Sequence, residues 1–321
     1  MKIYRFVYLI LCASGILNFA HATNNSIITI WGTPELKIQC DKWIHTYSDT
    51  NPEQKFTLHF TGSDTAMAAL YSTKCDIALI SREATAPEVK AFEWIYRYKP
   101  LAIELLRVGE APNGYAPSLG VYVNIKNKIT ELSLDDLEWI LKKDPSLTNK
   151  LWSHFNNTDQ NELSDIHSYI PNTDEGTGRY IRDAILHGNN SFDWENITEI
   201  SFKDIHSPAT TILNEVASQF GGLGIAPVGL KVANTKEINI SYSHKTQAFA
   251  ANEQTIKSKQ DPLTRCVDAY INKKPGTDLK PSVKHFLNFI LSDQGQEALI
   301  KESGYIKLNS NDQRAELIKL N

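Results

Sequence analysis

The sequence has few cysteines, no long apolar stretch and none of three common catalytic motifs, each of which would identify a class of protein. It carries four cysteines in 321 residues, and its longest apolar run lies near the N-terminus, between Phe6 and Leu17. That run is too short to span a bilayer comfortably, and no later stretch approaches about 20 apolar residues. A Gly-x-Ser-x-Gly elbow, a His-Glu-x-x-His pair and a phosphate-loop lysine motif are also missing. We therefore expect no enzyme, no catalytic residue, no metal site and no cofactor.

An excess of positive charge is also absent. The chain has 33 basic and 37 acidic residues, a formal net charge of −4. This balance argues against a nucleic-acid partner. Any bound anion must then be held by local dipoles and hydroxyl groups rather than by a basic surface.

The N-terminus has the pattern of a secretory signal peptide. Met1–Arg5 is a short basic start before the apolar run, and Ala20-His21-Ala22 supplies small residues two apart. We expect cleavage after Ala22 and release into the periplasm. The cut leaves 299 residues, enough for two lobes of about 150 residues each.

Three cysteines remain after that cut: Cys40, Cys75 and Cys266. They allow at most one disulfide within a monomer, and their spacing does not say which pair would join. Three buried thiols are an equal alternative. The cysteine pattern therefore leaves both possibilities open.

Strand-like and helix-like segments alternate along the chain. Alternating or wholly apolar runs predict strands at 27–31, 56–60, 77–80, 101–108, 119–124, 167–170, 223–227, 238–243 and 266–271. Helical spacing predicts helices at 87–98, 133–143, 178–187, 281–292, 294–303 and 312–320, with another opening at Ser207-Pro208. This order predicts an α/β layer structure. The breaker cluster Gly109–Pro117 is expected to cross to a second lobe, and the polar, shapeless stretch 244–261 to cross back.

Two turns carry the candidate site. Thr61–Thr65 (TGSDT) follows one strand-like run, and Asp174–Arg179 (DEGTGR) follows another. Each pattern predicts a strand that turns through glycine into a helix start, which presents free backbone N–H groups and the positive end of the helix dipole. Such a helix start binds anions readily. Two of them more than a hundred residues apart predict a site assembled between two lobes.

The same residues also have a purely structural interpretation. Ser63, Asp64 and Thr65 belong to the types preferred at helix caps. The second turn is also compatible with a tight turn and a solvated glutamate. Arg82 and Arg179 are more often surface ion pairs than ligands.

An ordered set of segments resembles the phosphate-binding proteins of bacterial ABC importers. The set consists of Gly62-Ser63, Lys74–Arg82, Asn127–Ile129 with Leu132–Leu137, Gly176-Thr177, Gly222–Ile225, Pro262–Arg265 and Val283–Gln296. None of them is specific alone, but together they cover nearly the whole mature chain in family order. The resemblance implies a two-lobed periplasmic-binding-protein (Venus flytrap) fold, each lobe a mixed sheet flanked by helices. It also implies phosphate or another small oxyanion as ligand, and an ABC permease of the inner membrane as partner.

The domain boundaries follow from the signal-peptide pattern and the two predicted crossings, and the site residues follow from the resemblance. We expect a signal peptide at 1–22, lobe 1 at 23–108 plus 262–321, lobe 2 at 109–243 and the second crossing at 244–261, in a monomer. The expected ligand-binding residues are Thr33, Ser63, Asp64, Ser81, Arg82, Glu175, Gly176, Thr177 and Gly178. Hydroxyl and backbone N–H groups at helix starts can donate to a phosphate without a net positive lobe.

Two positions depart from the family pattern. Glu175 stands where the family has a serine, and Pro171 where it has an arginine. An ionised Glu175 would repel a phosphate by an amount on the order of 1 to 4 kcal/mol at close range in a partly wet cleft. Glu35 and Asp64 add negative charge, which an arginine can offset; the candidates for that role are Arg82, Arg179 and Arg182.

These departures keep two alternatives open. One is a divergent flytrap protein that has lost phosphate and acts as a sensor or protein-interaction module. The other is a phosphoesterase in which Ser63 attacks a phosphate ester, with Asp64 or His59 as base. The anion-binding transport component is the function that the ordered set favours.

Overall fold

The computed structural model describes residues 27–109, 118–155, 164–173, 176–201, 208–299 and 304–321. The predicted signal peptide and its cleavage after Ala22 lie outside these residues. Within them the strands are β1 (Ile28–Gly32), β2 (Phe56–Phe60), β3 (Ile77–Ile80), β4 (Leu101–Val108), β5 (Leu119–Asn124), β6 (Glu131–Ser133), β7 (His167–Pro171), β8 (Ile197–Ile200), β9 (Gly222–Pro227), β10 (Thr235–Ser241), β11 (Arg265–Ile271) and β12 (Tyr305–Ile306). The helices are α1 (Lys37–Ser48), α2 (Ser63–Tyr71), α3 (Ala86–Tyr96), α4 (Leu134–Leu141), α5 (Gly176–Ile185), α6 (Pro208–Ser218), α7 (Glu253–Lys257), α8 (Pro281–Ile290), α9 (Asp293–Glu297) and α10 (Ser310–Lys319).

The first sheet has the strand order β12-β4-β11-β3-β1-β2. Strands β2, β1 and β3 run parallel, whereas β11 is antiparallel to both β3 and β4. Every residue of β3, Ile77–Ile80, is buried, as expected for a central strand with both faces covered. Because β1, β2 and β3 are parallel, their carboxyl ends meet at one edge of the sheet.

The second sheet has the order β6-β10-β5-β9-β7-β8. Strands β9, β7 and β8 run parallel, and β5 is antiparallel to β9 and β10. Its central strands β5 and β9 are buried throughout. The two mixed sheets, each flanked by helices, confirm the predicted two-lobed α/β architecture. We call the part built on the first sheet lobe 1 and the part built on the second sheet lobe 2.

Each lobe has its own hydrophobic core. Trp43 is fully buried in lobe 1, and its indole Nε1 donates to the Gly295 carbonyl oxygen at 3.0 Å. Trp152 is fully buried in lobe 2, and its Nε1 donates to the Gly221 carbonyl oxygen at 3.1 Å. A buried Trp N–H needs such a partner. The two large anchors therefore stabilise two separate cores.

The chain passes between the sheets twice. The first passage lies between β4 and β5, where residues 110–117 are outside the described part; the Ser118 amide donates to the Gly109 carbonyl oxygen at 3.0 Å across it. The second lies between β10 and β11. Leu263 packs into the lobe 2 core, and Arg265 begins β11 in lobe 1. The exact lobe boundaries stay a prediction.

The prediction that 244–261 has no regular structure was wrong. Helix α7 forms there, because the Asn252 side-chain oxygen accepts from the Gln254 and Thr255 amides at 3.0 and 3.1 Å. Phe249 also forms an antiparallel bridge with Ile240. A capped helix of five residues has too few apolar positions to show a helical period.

The remaining differences between the predicted and the observed elements concern edge strands and the end of one helix. The sequence pattern did not predict β6, β8 and β12, which are edge strands of two to four residues. The helix predicted at 294–303 is observed as α9, which ends at Glu297; residues 300–303 lie outside the described part. In the described residues no helix is both long and apolar enough to cross a membrane.

The three mature-chain cysteines are free thiols. Cys40 is buried, and burial raises the pKa of the Cys75 thiol to about 12. The disulfide alternative is therefore wrong in this structure; all three residues are thiols, but Cys40 is buried whereas Cys75 and Cys266 are partly exposed, so the prediction of three buried thiols holds for Cys40. Thiols whose pKa is raised by burial carry little thiolate at neutral pH and react slowly.

A buried carboxyl group lies where the second passage enters lobe 1. Asp261 is only 1% exposed, and its Oδ1 accepts from the Leu263 amide at 3.0 Å. Burial raises the pKa of Asp261 to about 6. An unfolded aspartate titrates near 4, so between about pH 4 and 6 the folded chain holds a proton that the unfolded chain has lost. Stability from this group therefore falls as pH rises through that window.

We expect Asp261→Asn to stabilise the protein at pH 7.5 and not at pH 4. The amide keeps the Oδ1 acceptor and removes the buried charge, so about two pKa units, or about 3 kcal/mol of unfolding free energy, are recovered above pH 6. Urea unfolding at both pH values measures this. The exposed Asp278→Asn is the matched control, and equal effects of Asp261→Asn at the two pH values would contradict the assignment.

Candidate functional site

The first turn forms an uncapped helix start, as predicted. Gly62 has φ +146°, a conformation that L side chains rarely adopt, and its amide donates to the Gly32 carbonyl oxygen at 3.2 Å. Gly62 is the N-cap residue of α2 and supplies no side-chain cap. The first amides of α2 therefore point out of the helix with the positive end of its dipole.

Ser63 and Asp64 at this helix start are joined to Arg82, which follows β3. The Arg82 Nε donates to Ser63 Oγ at 3.1 Å, and its Nη2 donates to Asp64 Oδ1 at 2.8 Å. Glu88 of α3 takes two further bonds from the same guanidinium, each at 2.8 Å. Three of the predicted site residues are thus in mutual contact.

Arg82 is buried rather than part of a surface ion pair. It is 4% exposed. Burial by itself would lower the pKa of Arg82, but Glu88 and Asp64 outweigh burial and raise it. The guanidinium is therefore a fixed positive charge whose donors are already engaged by two carboxylates.

Arg179 of α5 reaches the same carboxylate from lobe 2. Its Nη1 forms an ion pair with Asp64 Oδ2. Asp64 thereby accepts from Arg82 of its own lobe and from Arg179 of the other. The sequence pattern predicts Arg179 as a surface ion pair or as an offset to negative charge, and not as a site residue; its partly exposed pair with Asp64 fits the first of these interpretations.

The carboxyl ends of β1 and β3 supply two further hydroxyl groups. Thr33 follows β1, is buried, and its Oγ1 has no hydrogen-bond partner in the described part of the chain. Ser81 follows β3, is 2% exposed, and its Oγ donates to Glu35 Oε1 at 2.7 Å. Because β1 and β3 are adjacent and parallel, these hydroxyls lie at one edge of the sheet. We call Thr33, Ser63 and Ser81 the hydroxyl seat.

The second turn is described only from Gly176 onward, and Glu175 lies outside the described residues. Gly178 is buried, and a Cβ there would come within 2.2 Å of the Asn172 carbonyl oxygen, so close packing requires glycine. Among the described residues no hydrogen bond joins Gly176, Thr177 or Gly178 to lobe 1. Their place in a ligand-binding wall stays a prediction, although Arg179 in the same turn of α5 crosses to lobe 1.

A second contact between the lobes lies at the base of the cleft. The Tyr180 hydroxyl of α5 donates to the Thr264 carbonyl oxygen at 3.2 Å, and the Arg265 guanidinium lies 5.1 Å from the Tyr180 ring centroid. Arg265 is 2% exposed, its Nη2 donates to the Ser81 carbonyl oxygen at 3.2 Å, and burial lowers its pKa. This cation–π contact attaches α5 to β11 and to the strand end that carries Ser81.

The geometry does not favour the phosphoesterase alternative. Ser63 Oγ lies 3.5 Å from Asp64 Oδ1 and accepts from Arg82, and Asp64 is ion-paired with two guanidinium groups, which makes it a weak base. His59 is exposed and lies against Trp31, with ring centroids 4.7 Å apart. The described residues contain no group of three or more His, Cys, Asp or Glu side chains that could hold a metal ion.

Comparisons with known proteins agree with this architecture. A sequence model described as the PBP superfamily domain matches residues 18–294. The phosphate-binding protein PstS of Pseudomonas aeruginosa is 25% identical over 272 residues, which cover 83% of this chain and 78% of that protein. Among solved structures, PstS from Borrelia burgdorferi has a TM-score of 0.61 at 19% identity, covering 89% of this chain and 100% of that chain. An ABC-type phosphate transport receptor from Vibrio cholerae has a TM-score of 0.59 at 19% identity, covering 87% of this chain and 99% of that chain.

We expect the Asp64–Arg179 pair to contribute about 0.2 to 1 kcal/mol to stability, because both side chains are partly exposed to water. A double-mutant cycle with Asp64→Ala and Arg179→Ala, measured by urea unfolding at low salt, isolates this coupling. The coupling should shrink in 1 M salt.

The Lys37–Asp41 pair within α1 is the matched control for that cycle. It has a similar exposure but joins residues of one helix. Loss of the Asp64–Arg179 pair should therefore increase the radius of gyration in small-angle scattering, and loss of the α1 pair should not. No coupling between Asp64 and Arg179 at low salt would contradict a link between the lobes.

Proposed function

The chain belongs to the PBP superfamily, and from this premise we propose that it is a periplasmic solute-binding protein for phosphate or a related oxyanion. The ligand lies in the cleft between the lobes and is delivered to an ABC permease of the inner membrane. Support comes from the phosphate-binding protein of Pseudomonas aeruginosa that matches most of this chain, from the transport receptor of Vibrio cholerae, and from the signal-peptide pattern before Ala22.

The observation that carries the proposal is the ion pair that joins Asp64 at the start of α2 in lobe 1 to Arg179 near the start of α5 in lobe 2. Lobe 1 contributes the uncapped start of α2 and the hydroxyl seat. Lobe 2 contributes α5, whose Arg179 already contacts Asp64 across the cleft. Donors fixed in this way bind an oxyanion through directed N–H and O–H groups, without a basic surface.

The cleft closes by a hinge movement of the two lobes. A ligand that contacts both lobes shifts the balance between open and closed arrangements by its difference in affinity for the two. The contact of Tyr180 with Thr264 and Arg265 lies beside the second passage of the chain between the lobes, where we expect the relative movement of the lobes to be smallest. This contact would therefore be kept in both the open and the closed arrangement.

A flytrap that has lost phosphate is the second candidate, and one observation favours it. Carboxylates already engage the donors that an oxyanion would use: Glu35 accepts from Ser81, and Asp64 and Glu88 accept from Arg82. Pro171 ends β7 without a charged side chain. A protein of this kind would act as a sensor or protein-interaction module and would bind no oxyanion.

We expect phosphate to stabilise the refolded, ligand-free protein. Denaturation, dialysis and refolding remove any bound ion, and thermal melts then compare phosphate, sulfate, arsenate and molybdate at millimolar concentration. A submicromolar ligand at a thousandfold excess adds about 4 kcal/mol to the free energy of unfolding, which shifts the melting midpoint by several degrees.

Ser63→Ala should weaken phosphate binding roughly 10- to 100-fold, because it removes one hydrogen bond to a charged ligand.

Ser72→Ala is the matched control for Ser63→Ala. Ser72 lies at the other end of α2, where its Oγ donates to the Ala68 carbonyl oxygen. The control should leave phosphate affinity unchanged. If no oxyanion moves the melting midpoint, phosphate transport is excluded and the second candidate is favoured.

We expect Glu175→Gln to tighten phosphate binding by about one to three decades. The expected repulsion between an ionised Glu175 and phosphate is on the order of 1 to 4 kcal/mol, and the amide removes it while keeping the size of the side chain. Isothermal titration calorimetry measures the gain. Glu53→Gln makes the same charge change in an exposed loop before β2, at the opposite edge of the sheet, and an unchanged affinity in Glu175→Gln would contradict the repulsion.

A further inference from the structure

A cavity of about 510 Å³ lies beside the Asp64–Arg179 pair. Both lobes line it, and the hydroxyl seat does not. Its lining includes Tyr71, Pro87, Glu88 and Ala91 of lobe 1 and Arg179 and Arg182 of lobe 2. We call this space the side cavity; Asp64, Arg82 and Arg179 form its wall toward the hydroxyl seat.

The side cavity is large for an inorganic ion. Pockets of roughly 300 to 1,000 Å³ hold organic ligands of drug size, whereas phosphate has five heavy atoms. A single oxyanion in this volume would leave most of the wall in contact with water. The volume therefore fits a molecule with an organic body.

Two arginines of the wall have guanidinium nitrogens that are not engaged by the described residues. Arg82 donates to Ser63, Asp64 and Glu88, whereas Arg179 is paired with Asp64 through Nη1 alone. The Arg182 Nε donates to Asp183 at 2.9 Å, and its two terminal nitrogens have no hydrogen-bond partner among the described residues. A guanidinium edge of this kind accommodates a carboxylate or phosphate in a two-point hydrogen bond.

The anion would be recognised by hydrogen bonds of fixed direction rather than by a net positive charge of the cavity wall. Arg82, Arg179 and Arg182 face Asp64 and Glu88 in the lining, and Asp183 behind Arg182 makes the group neutral overall. A diffuse positive field is therefore not available. The fixed N–H groups of Arg182 are what an anionic group can bind.

Another part of the wall is apolar. Pro87 and Ala91 lie one helical turn apart on α3, so they share one face, and Tyr71 at the end of α2 lines the cavity next to them. Beyond the cavity, three residues after Ala91, Trp94 is 69% exposed. An aromatic or aliphatic body can pack on this face.

We infer that the side cavity binds a small organic anion, with a phosphate or carboxylate group on Arg182 and an apolar body against Tyr71, Pro87 and Ala91. This site goes beyond the proposed function, because it shares a wall with the hydroxyl seat but none of the seat's three residues. It binds its ligand whether or not inorganic phosphate occupies the seat.

Calorimetry on the full mature chain tests the site with four probes: phenyl phosphate, phenylacetate, inorganic phosphate and the neutral benzyl alcohol. At least one of the two aromatic anions should bind, and benzyl alcohol should not. Which of the two binds more tightly identifies the preferred anionic group. Arg182→Gln should weaken the aromatic anion more than tenfold, because it removes hydrogen bonds to a charged group, and should weaken inorganic phosphate by a much smaller factor, because it removes only one nearby positive charge.

Two further variants separate binding from folding. Tyr71→Ala should weaken the aromatic anions severalfold and not inorganic phosphate. Arg314→Gln removes an exposed arginine of α10 in lobe 1 and should change neither. Circular dichroism and melting midpoints confirm that each variant is folded.

The outcomes distinguish this site from the proposed function. Binding of an aromatic anion that depends on Arg182 supports the side cavity even if inorganic phosphate fails to bind. Binding of inorganic phosphate alone overturns the side cavity and leaves the proposed function intact. Binding of the aromatic anions that is unchanged in both Arg182→Gln and Tyr71→Ala also overturns it.

Discussion

The cleft depends on the position of one carboxylate, that of Asp64. Gly62 turns the chain so that Asp64 stands in the first turn of α2, and Glu88 holds Arg82 against it. With Arg82 fixed, the second oxygen of Asp64 is free to accept Arg179 from lobe 2. An anion site can form here in a chain with a net negative charge because the carboxylates of Asp64 and Glu88 already face a guanidinium. Ligand affinity is then set by the remaining donors.

The region between the lobes combines an exposed contact with a buried one. The Asp64–Arg179 pair is partly exposed, so water and salt weaken it and it can open at little cost. The Tyr180–Arg265 contact is buried, and Arg265 also donates to the strand end at Ser81. Breaking that contact would remove the aromatic partner of a buried guanidinium, which costs more than separating an exposed ion pair. The lobes are therefore expected to separate at the Asp64 side and to stay joined at the Arg265 side.

Local patterns predicted the strands and the glycine turn, because burial and positive φ leave direct traces in sequence. The wholly apolar Ile77–Ile80 and the Gly62 turn are of this kind. The sequence pattern does not show which groups the charged side chains bind. The Thr85–Glu88 spacing signals a capping box, but nothing local indicates that Glu88 also binds Arg82, or that Arg179 crosses a cleft. Helix α7 was missed because a cap residue, rather than an apolar period, stabilises it.

The shared wall has a consequence for the two proposed sites. Asp64, Arg82 and Arg179 separate the hydroxyl seat from the side cavity, so a ligand in either place acts on the same ion pairs. A ligand that favours the joined lobes raises the affinity of the other site, and linkage requires the effect to be equal in both directions. A ligand that draws Arg179 away from Asp64 has the opposite effect. The two sites therefore strengthen each other's binding if Arg179 keeps its pair with Asp64 when a ligand is bound. They weaken each other's binding if Arg179 leaves Asp64 for the ligand.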